Sequence, residues 1–393
     1  MQELKRRPAM LSYFLSEEER ILVELLNRIG REYIAPYVRE WDEKEVCDLR
    51  PIRALAKADL FGLVIPKEYG GLGFGSFASC LAMEHLSRYC AGVATTYAAS
   101  ALGAYPILLL GTEAQKKKYL PEIASGRKLC AFALTEPQAG SDAAAIKTRA
   151  KREGESYLLN GIKQWITNGG IADIYVVIAL TDPRKGPRGA SAFIVERGDP
   201  GFSVGRKERK MGLRASVTTE LYFTNCRLPR ERLLGREGMG FVLALKALDY
   251  ARVGVGAQAV GLAQGAMELA LKHARNRVQF GQPIYNFQAV NHTFAEMAMR
   301  IEAARALVYQ TARNIDTGLK EISGPSAMAK AFATDVAMWV TERAVQMMGG
   351  YGYMRDFLAE KMMRDAKCLQ IYEGTNEIQR NVIARELLKY YRD

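Results

Sequence analysis

Ile371-Tyr372-Glu373-Gly374-Thr375-Asn376-Glu377-Ile378-Gln379-Arg380, near the C-terminus of a 393-residue chain, sets a carboxylate just ahead of a helix start. The glycine after Glu373 permits backbone angles closed to other residues, and Thr375 and Asn376 are both good N-caps for the apolar-periodic run 378–388. A base can thus be held on a turn beside a helix N-terminus. Read alone, Glu373 is equally an ordinary surface acid, because the helix macrodipole favours negative charge at that end.

Working outward, the helix that this stretch opens is the last of four long helical segments, at 241–276, 287–317, 325–348 and 378–390. Short connections between them are the signature of an antiparallel bundle. Gly318, and Gly324 with Pro325, mark one turn; Gly349-Gly350-Tyr351-Gly352 marks another. Ahead of the bundle, from residue 129 to 226, segments shorten and become β-rich at 130–135, 157–160, 174–180, 191–195 and 220–223, separated by Gly, Pro, Asn and Asp. Residues 16–128 read as helical again. Ser16 and Glu19 form a capping box before Ile21, Leu22, Leu25, Leu26 and Ile29, and further helices are expected at 52–58, 77–90 and 91–110. The glycines of Val64-Ile65-Pro66-Lys67-Glu68-Tyr69-Gly70-Gly71-Leu72-Gly73-Phe74-Gly75 do not follow Gly-x-Gly-x-x-Gly order, so this is a turn and not a dinucleotide loop. The expected fold is mainly α with an inserted β-domain: an N-terminal helical domain (1–128), a central β-barrel-like domain (129–236) and a C-terminal four-helix bundle (237–393).

Composition narrows the class of protein. Half of the residues are apolar, ample for a large interior, and no run of about 18 uncharged apolar residues is evident, so no membrane span is expected. Lys5, Arg6 and Arg7 precede no apolar stretch of signal-peptide type. Six scattered cysteines without a Cys-x-x-Cys pair read as reduced thiols, which points to the cytoplasm. His85, His273 and His292 stand alone, so no metal is expected. A net charge of +12 suits nucleic acid or a phosphate-rich ligand, yet clusters such as Lys116 to Lys118 and Arg206-Lys207-Glu208-Arg209-Lys210 read more simply as solvated faces.

Three motif groups carry chemistry. Ala133-Leu134-Thr135-Glu136-Pro137-Gln138-Ala139-Gly140-Ser141-Asp142 offers hydroxyls and approachable backbone amides; Ser141 lacks the Gly-x-Ser-x-Gly context of a hydrolase nucleophile. Gln164-Trp165-Ile166-Thr167-Asn168-Gly169-Gly170 places an indole beside a threonine, either a platform for a flat ring system or a core Trp before a turn. Arg277-Val278-Gln279-Phe280-Gly281, Phe287-Gln288 and Gln346-Met347-Met348-Gly349-Gly350 pair arginine with glycines that could admit a pyrophosphate. Asp249 and Arg252 share one helix face, where a surface ion pair is the plain account.

In this order and spacing the segments resemble the acyl-CoA dehydrogenases over nearly the whole chain, most specifically through Leu134-Thr135-Glu136 with Gly140-Ser141-Asp142 and through 346–353 continuing to Arg364-Asp365. Gln138 stands where glycine is common in the family. The resemblance implies FAD, held by Phe132, Leu134, Thr135 and Ser141, with Trp165, Ile166 and Thr167 at the isoalloxazine. Arg277, Gln279, Phe287, Gln288, Gln346, Gly349 and Gly350 would serve the pyrophosphate and adenine side across a dimer interface, and Thr375 and Glu377 would complete the site. It places the CoA thioester near Ser141, Thr181, Asp249, Arg252 and Gly374, with Glu373 as the base that takes the Cα proton while hydride leaves Cβ.

The alternative base position of some relatives is Ala251 here, and the arginine of glutaryl-type relatives is replaced by Val93. The small, mostly uncharged run Ala94-Thr95-Thr96-Tyr97-Ala98-Ala99-Ser100 is expected to line the acyl pocket and admits short, medium, branched or cyclic groups. An electron-transferring flavoprotein and a homotetramer built from dimers are the implied partners. An acyl-CoA oxidase-like enzyme using oxygen, or a non-catalytic flavin-bearing relative that binds nucleic acid, are the alternatives.

Overall fold

The capping box at the first helix forms as its sequence dictates. In the computed structural model, which describes residues 15–391, the Ser16 hydroxyl accepts the Glu19 amide and the Glu19 carboxylate accepts the Ser16 amide, starting α1 (Glu17–Ile29). The basic residues Lys5, Arg6 and Arg7 lie outside the described residues. After α1 come α2 (Val38–Glu43), α3 (Arg50–Lys57), α4 (Gly75–Ser87), α5 (Ala91–Leu110) and α6 (Glu113–Ala124). The glycine-dense stretch between α3 and α4 is a turn, with Gly70 and Gly73 at φ +79° and +66°.

One expectation fails at α5. Its twenty residues carry no charge and are long and apolar enough to cross a membrane. Inside this protein, however, 61% of its most apolar window is buried. It is a core helix, wedged against the sheet and the C-terminal bundle, and its Ser100 hydroxyl accepts the Cys130 amide at 3.2 Å.

The central unit contains β1 (Cys130–Ala133), β2 (Arg149–Glu153), β3 (Ser156–Thr167), β4 (Ile174–Leu180), β5 (Ala190–Glu196), β6 (Phe202–Lys207), β7 (Thr218–Pro229) and β8 (Leu233–Leu234). Strand order is β6-β7-β3-β2-β4-β5-β8, and β1 pairs in parallel with β4. All seven residues of β4 are buried, as its unbroken apolar run requires of a strand covered on both faces. Strands β2 and β6 have no strand-like pattern of their own. In β2, Arg-Ala-Lys-Arg-Glu buries only Ala150, and pairing with β3 from Arg149↔Asn160 to Glu153↔Ser156 makes it a strand.

The C-terminal unit has α7 (Gly240–Asn276), a small hairpin of β9 (Val278–Gln279) and β10 (Gln282–Pro283), α8 (Gln288–Asp316), α9 (Ser323–Met348), α10 (Gly350–Tyr353), α11 (Ala359–Leu369) and α12 (Asn376–Tyr390). Helices α7, α8, α9 and α12 are the four long ones expected; α11 is an additional helix. Gly324 and Pro325 do not form the turn assigned to them. They occupy the first turn of α9, where proline's missing amide costs nothing, and Gly318 at φ +89° makes the bend. Helix α4 crosses α7 closely at Gly261 and Gly265, where a Cβ would strike the carbonyls of Glu84 and Arg88. All six cysteines are unpaired, and Cys80, Cys90, Cys130 and Cys226 are buried.

Candidate active site

Glu373 sits on the turn between α11 and α12 with φ +54°, followed by Gly374 at +94°. The left-handed region costs a non-glycine residue of order 1 kcal/mol or more, so something must hold the turn. Three buried side chains do so. Arg252 Nε (3.3 Å) and Gln379 Nε2 (3.2 Å) donate to the Glu373 carbonyl, while Gln379 Nε2 (3.0 Å) and Lys330 Nζ (2.9 Å) donate to the Gly374 carbonyl. Thr375 caps α12 by accepting the Ile378 amide at 3.3 Å, which frees the Asn376 side chain to turn into the core.

One oxygen of the carboxylate is left alone. Glu373 Oε2 is sealed from solvent and has no hydrogen-bond partner among the described residues. Desolvation pushes its pKa up to about 7, although the nearby cations Arg252 and Lys330 pull it down. The group therefore changes charge close to neutral pH.

Asp249 and Arg252 on α7 are not a surface ion pair: they retain only 8% and 5% of their exposure. Asp249 accepts from Arg252 Nη1 at 2.6 Å and from the Ser323 hydroxyl. Between them in sequence stands Ala251, without a titratable group.

One turn and a half farther along α7, Gln258 Nε2 donates to the Ala91 carbonyl (2.9 Å) and to Thr95 Oγ1 (2.8 Å), and its Oε1 accepts from the Tyr372 hydroxyl. The next residue of α5, Thr96, offers its carbonyl to Asn168 Nδ2 at 2.9 Å. Consecutive α5 residues therefore tie Tyr372, the neighbour of Glu373, and the turn after Trp165 to the same helix.

Trp165 is 56% exposed at φ +56°, so it is not a core tryptophan, and its indole is open to a ligand. Ile166 is buried behind it and Thr167 is half-buried. Phe132 is a half-buried residue of β1; Leu134 is buried, Thr135 half-buried and Ser141 exposed. The loop that carries them is fixed from below. Lys163 Nζ donates to the Leu134 carbonyl and to Glu136 Oε1, both at 2.8 Å, and Glu136 in turn accepts the amides of Lys147 (2.6 Å) and Thr148 (3.0 Å). Thr181 spends its hydroxyl on the Gly189 carbonyl (3.0 Å) and Ser191 Oγ (2.8 Å).

The remaining predicted residues gather elsewhere. Arg277, Gln279, Gln346, Gly349 and Gly350 line a cavity of about 580 Å³ with His273 and Tyr351, and the Arg277 guanidinium lies 5.5 Å from the Tyr351 ring centre. Glu373 is not part of that lining. Phe287 meets the 95% exposed Phe280 edge-on at 6.0 Å, and Gln288 opens α8 in the exposed class. Glu377 is exposed in the first turn of α12, and Thr375 is half-buried.

Sequence reasoning missed Lys330, Gln379 and Gln258. A signal existed for the first: Ser326, Lys330 and Thr334 repeat every four residues along an alanine-rich helix, and all three are fully buried.

Glu373 thus carries a carboxylate with one oxygen sealed and without a donor, pinned on a strained turn, an arrangement suited to accepting a proton. The α–β–α frame, the partly sealed acid and the exposed Trp165 indole are together those of a flavoprotein oxidoreductase. The chain matches the acyl-CoA dehydrogenase N-terminal domain over residues 16–127, the middle domain over 131–226 and the C-terminal domain over 238–388. It is 46% identical over 382 residues to a probable acyl-CoA dehydrogenase, FadE25, of Mycobacterium tuberculosis, covering 97% of this chain and 98% of that one. Its structure is similar to butyryl-CoA dehydrogenase from Megasphaera elsdenii, with a TM-score of 0.94, 45% identity and coverage of 96% and 100%. A chain solved in work on the electron transferring flavoprotein of Acidaminococcus fermentans and flavin-based electron bifurcation gives TM-score 0.94 at 47% identity, with coverage of 96% and 100%. The chain belongs to the acyl-CoA dehydrogenase family, and its reaction is the α,β-dehydrogenation of an acyl-CoA thioester.

Proposed function

We propose that Glu373 is the base of this reaction, that FAD is the resident cofactor, and that the acyl group is short. The observation that carries the reading is the sealed, unpartnered Glu373 Oε2. The residues present fit the cofactor: Trp165 offers an open indole face, no atom lies within 4 Å of a Cβ added at Gly140, and the cavity bearing Arg277, Gln279, Gln346, Gly349 and Gly350 suits a pyrophosphate. Phe132, Leu134, Thr135, Ser141, Ile166 and Thr167 would hold the ring end, and Phe287, Gln288, Thr375 and Glu377 would complete the site with a second subunit. Bound FAD supplies a hydride acceptor for the substrate's β carbon.

The chain's own work is on the α proton. Burial makes Glu373 basic enough to accept it near neutral pH, and the Glu373 backbone amide is the donor available to the thioester oxygen as enolate charge builds. Ser141, Thr181, Asp249, Arg252 and Gly374 would orient the CoA thioester. Because the carboxylate must be ionised, kcat/KM is expected to fall as pH drops through about 7. A profile flat down to pH 5 would rule Glu373 out as a base of this kind.

Acyl length follows from Gln258. Its bonds to Thr95 and Tyr372 close the space between α5, α7 and the base's turn with a polar bridge that an alkyl chain cannot displace without orphaning buried groups. Butyryl-CoA is therefore expected to bleach the flavin anaerobically faster than octanoyl-CoA. Gln258→Gly is expected to raise the octanoyl-to-butyryl ratio of kcat/KM by roughly tenfold or more. An unchanged ratio would remove Gln258 as the determinant, and no bleaching by any thioester in a panel of linear, branched and cyclic acyl groups would sink the whole reading.

An electron-transferring flavoprotein is the proposed acceptor, a dimer-based homotetramer the proposed assembly, and the cytoplasm, which suits six unpaired thiols, the proposed location. The exposed Val278, Phe280 and Tyr353 near the pyrophosphate cavity supply apolar surface for the subunit contact.

A further inference from the structure

Lys330 is fully buried in α9 and, among the described residues, makes no ion pair. The other two fully buried lysines differ: Lys163 faces Glu136 and Lys361 faces Asp365. Lys330 Nζ instead donates to two neutral oxygens, the Gly374 carbonyl and Asn376 Oδ1, both at 2.9 Å. Asn376 is itself locked, its amide donating to Thr334 Oγ1 (2.9 Å) and Asp335 Oδ1 (2.7 Å). An ammonium taken out of water with no carboxylate in ion-pair contact costs several kcal/mol, which a methionine of similar length would avoid. What the ammonium does there is span α9, the base's turn and the first residue of α12.

We propose that Lys330 is a positioning residue for the dehydrogenation: by holding the Gly374 carbonyl and the Asn376 amide oxygen, it fixes the direction in which the Glu373 carboxylate leaves its turn. This rests on the reading of Glu373 as the base. The charged and titratable groups that face Lys330 are Glu373 from the turn, Arg252 from α7, Asp335 from α9 itself and Cys368 from α11. Its charge is one of two that oppose the desolvation of Glu373, so it also keeps the base ionised at a lower pH than burial alone would allow.

The test uses the flavin-loaded enzyme. In Lys330→Met and Lys330→Gln, the acid limb of kcat/KM is expected to move up by roughly one pH unit. At pH 7 kcat should fall roughly tenfold while KM stays within about twofold, since the group acts on the base and not on CoA. Lys330→Arg keeps the cation and should restore the limb. A limb and kcat unchanged in either neutral variant would overturn the proposal. So would failure of both neutral variants to fold while Lys330→Arg folds with a displaced limb, which would make the lysine a structural ion only. The base assignment fails separately: Glu373→Gln that still reduces flavin refutes the base, whereas an inactive Glu373→Gln beside a wild-type limb in Lys330→Met refutes only the positioning role.

Discussion

Glu373→Gln is expected to stay yellow, to lose flavin bleaching by acyl-CoA by roughly a thousandfold or more, and at the same time to become harder to unfold at pH 8. The first effect follows from chemistry: the amide keeps the shape and cannot take a proton. The second follows from linkage. Glu373 has a folded pKa of about 7 against 4.5 for an ordinary glutamate. A raised carboxyl pKa means the fold prefers the neutral form, so its favourable contribution is complete below pH 4.5 and is lost as pH rises through 7. Above that, keeping the charge costs the fold about 3 kcal/mol. Glutamine carries no charge at any pH and escapes the cost. Thermal melts should show the variant and the parent level at pH 4, separating between pH 4.5 and 7, and holding the full gap at pH 8. Should the separation fail to open, desolvation is not what makes Glu373 basic, whatever the activity result.

How much of this was legible beforehand depends on whether a residue's role is written in its neighbours along the chain. The run 91–110 is uncharged throughout and mostly apolar, and α5 occupies those residues; the apolar run 174–180 likewise is β4. The four long helices were visible because apolar periodicity fills the space between glycine-rich breaks. In contrast, β2 is a polar pentapeptide that becomes a strand only by pairing with β3, and nothing local announces it. Helix α11 was hidden between two motif-rich segments, although its amphipathic face of Met362, Ala366 and Leu369 packs inward.

In the site, Glu373 and Trp165 belong to short motifs and could be found. Whether Trp165 lay in the core or on a face could not, because its positive φ belongs to the irregularity in the β3–β7 pairing between Lys163 and Ile166. Lys330 and Gln258 are farther still from sequence reach. Each acts through a partner more than forty residues away, Gly374 for one and Thr95 and Tyr372 for the other.

Lys163→Met is expected to be the most damaging single change away from the base. Lys163 and Glu136 are buried together, their side chains 0% and 3% exposed, and among the described residues neither has another ion-pair partner. Burial lowers the lysine pKa to about 8, so at pH 7 it is still a cation. Methionine fills the same volume but leaves the Leu134 carbonyl without its donor and Glu136 with only neutral donors: the amides of Lys147 and Thr148 and the side-chain amide of Gln138. Removing one member of a buried pair destabilises by about 3–5 kcal/mol, far more than the pair's net worth, because the abandoned charge remains.

Glu136 cannot escape by rotating, since those two backbone amides hold it at the foot of the loop that presents Thr135 and Ser141. The loss should therefore reach the cofactor side as well as the fold. In urea the variant's midpoint should drop well below that of the parent, and gel filtration should separate it from its flavin, while Lys163→Arg, which keeps a donor and a charge, should retain more of both. A Lys163→Met protein that remains fully yellow with the parent's urea midpoint would mean that the loop is held by Glu136 and its amides alone, and that the buried cation contributes nothing.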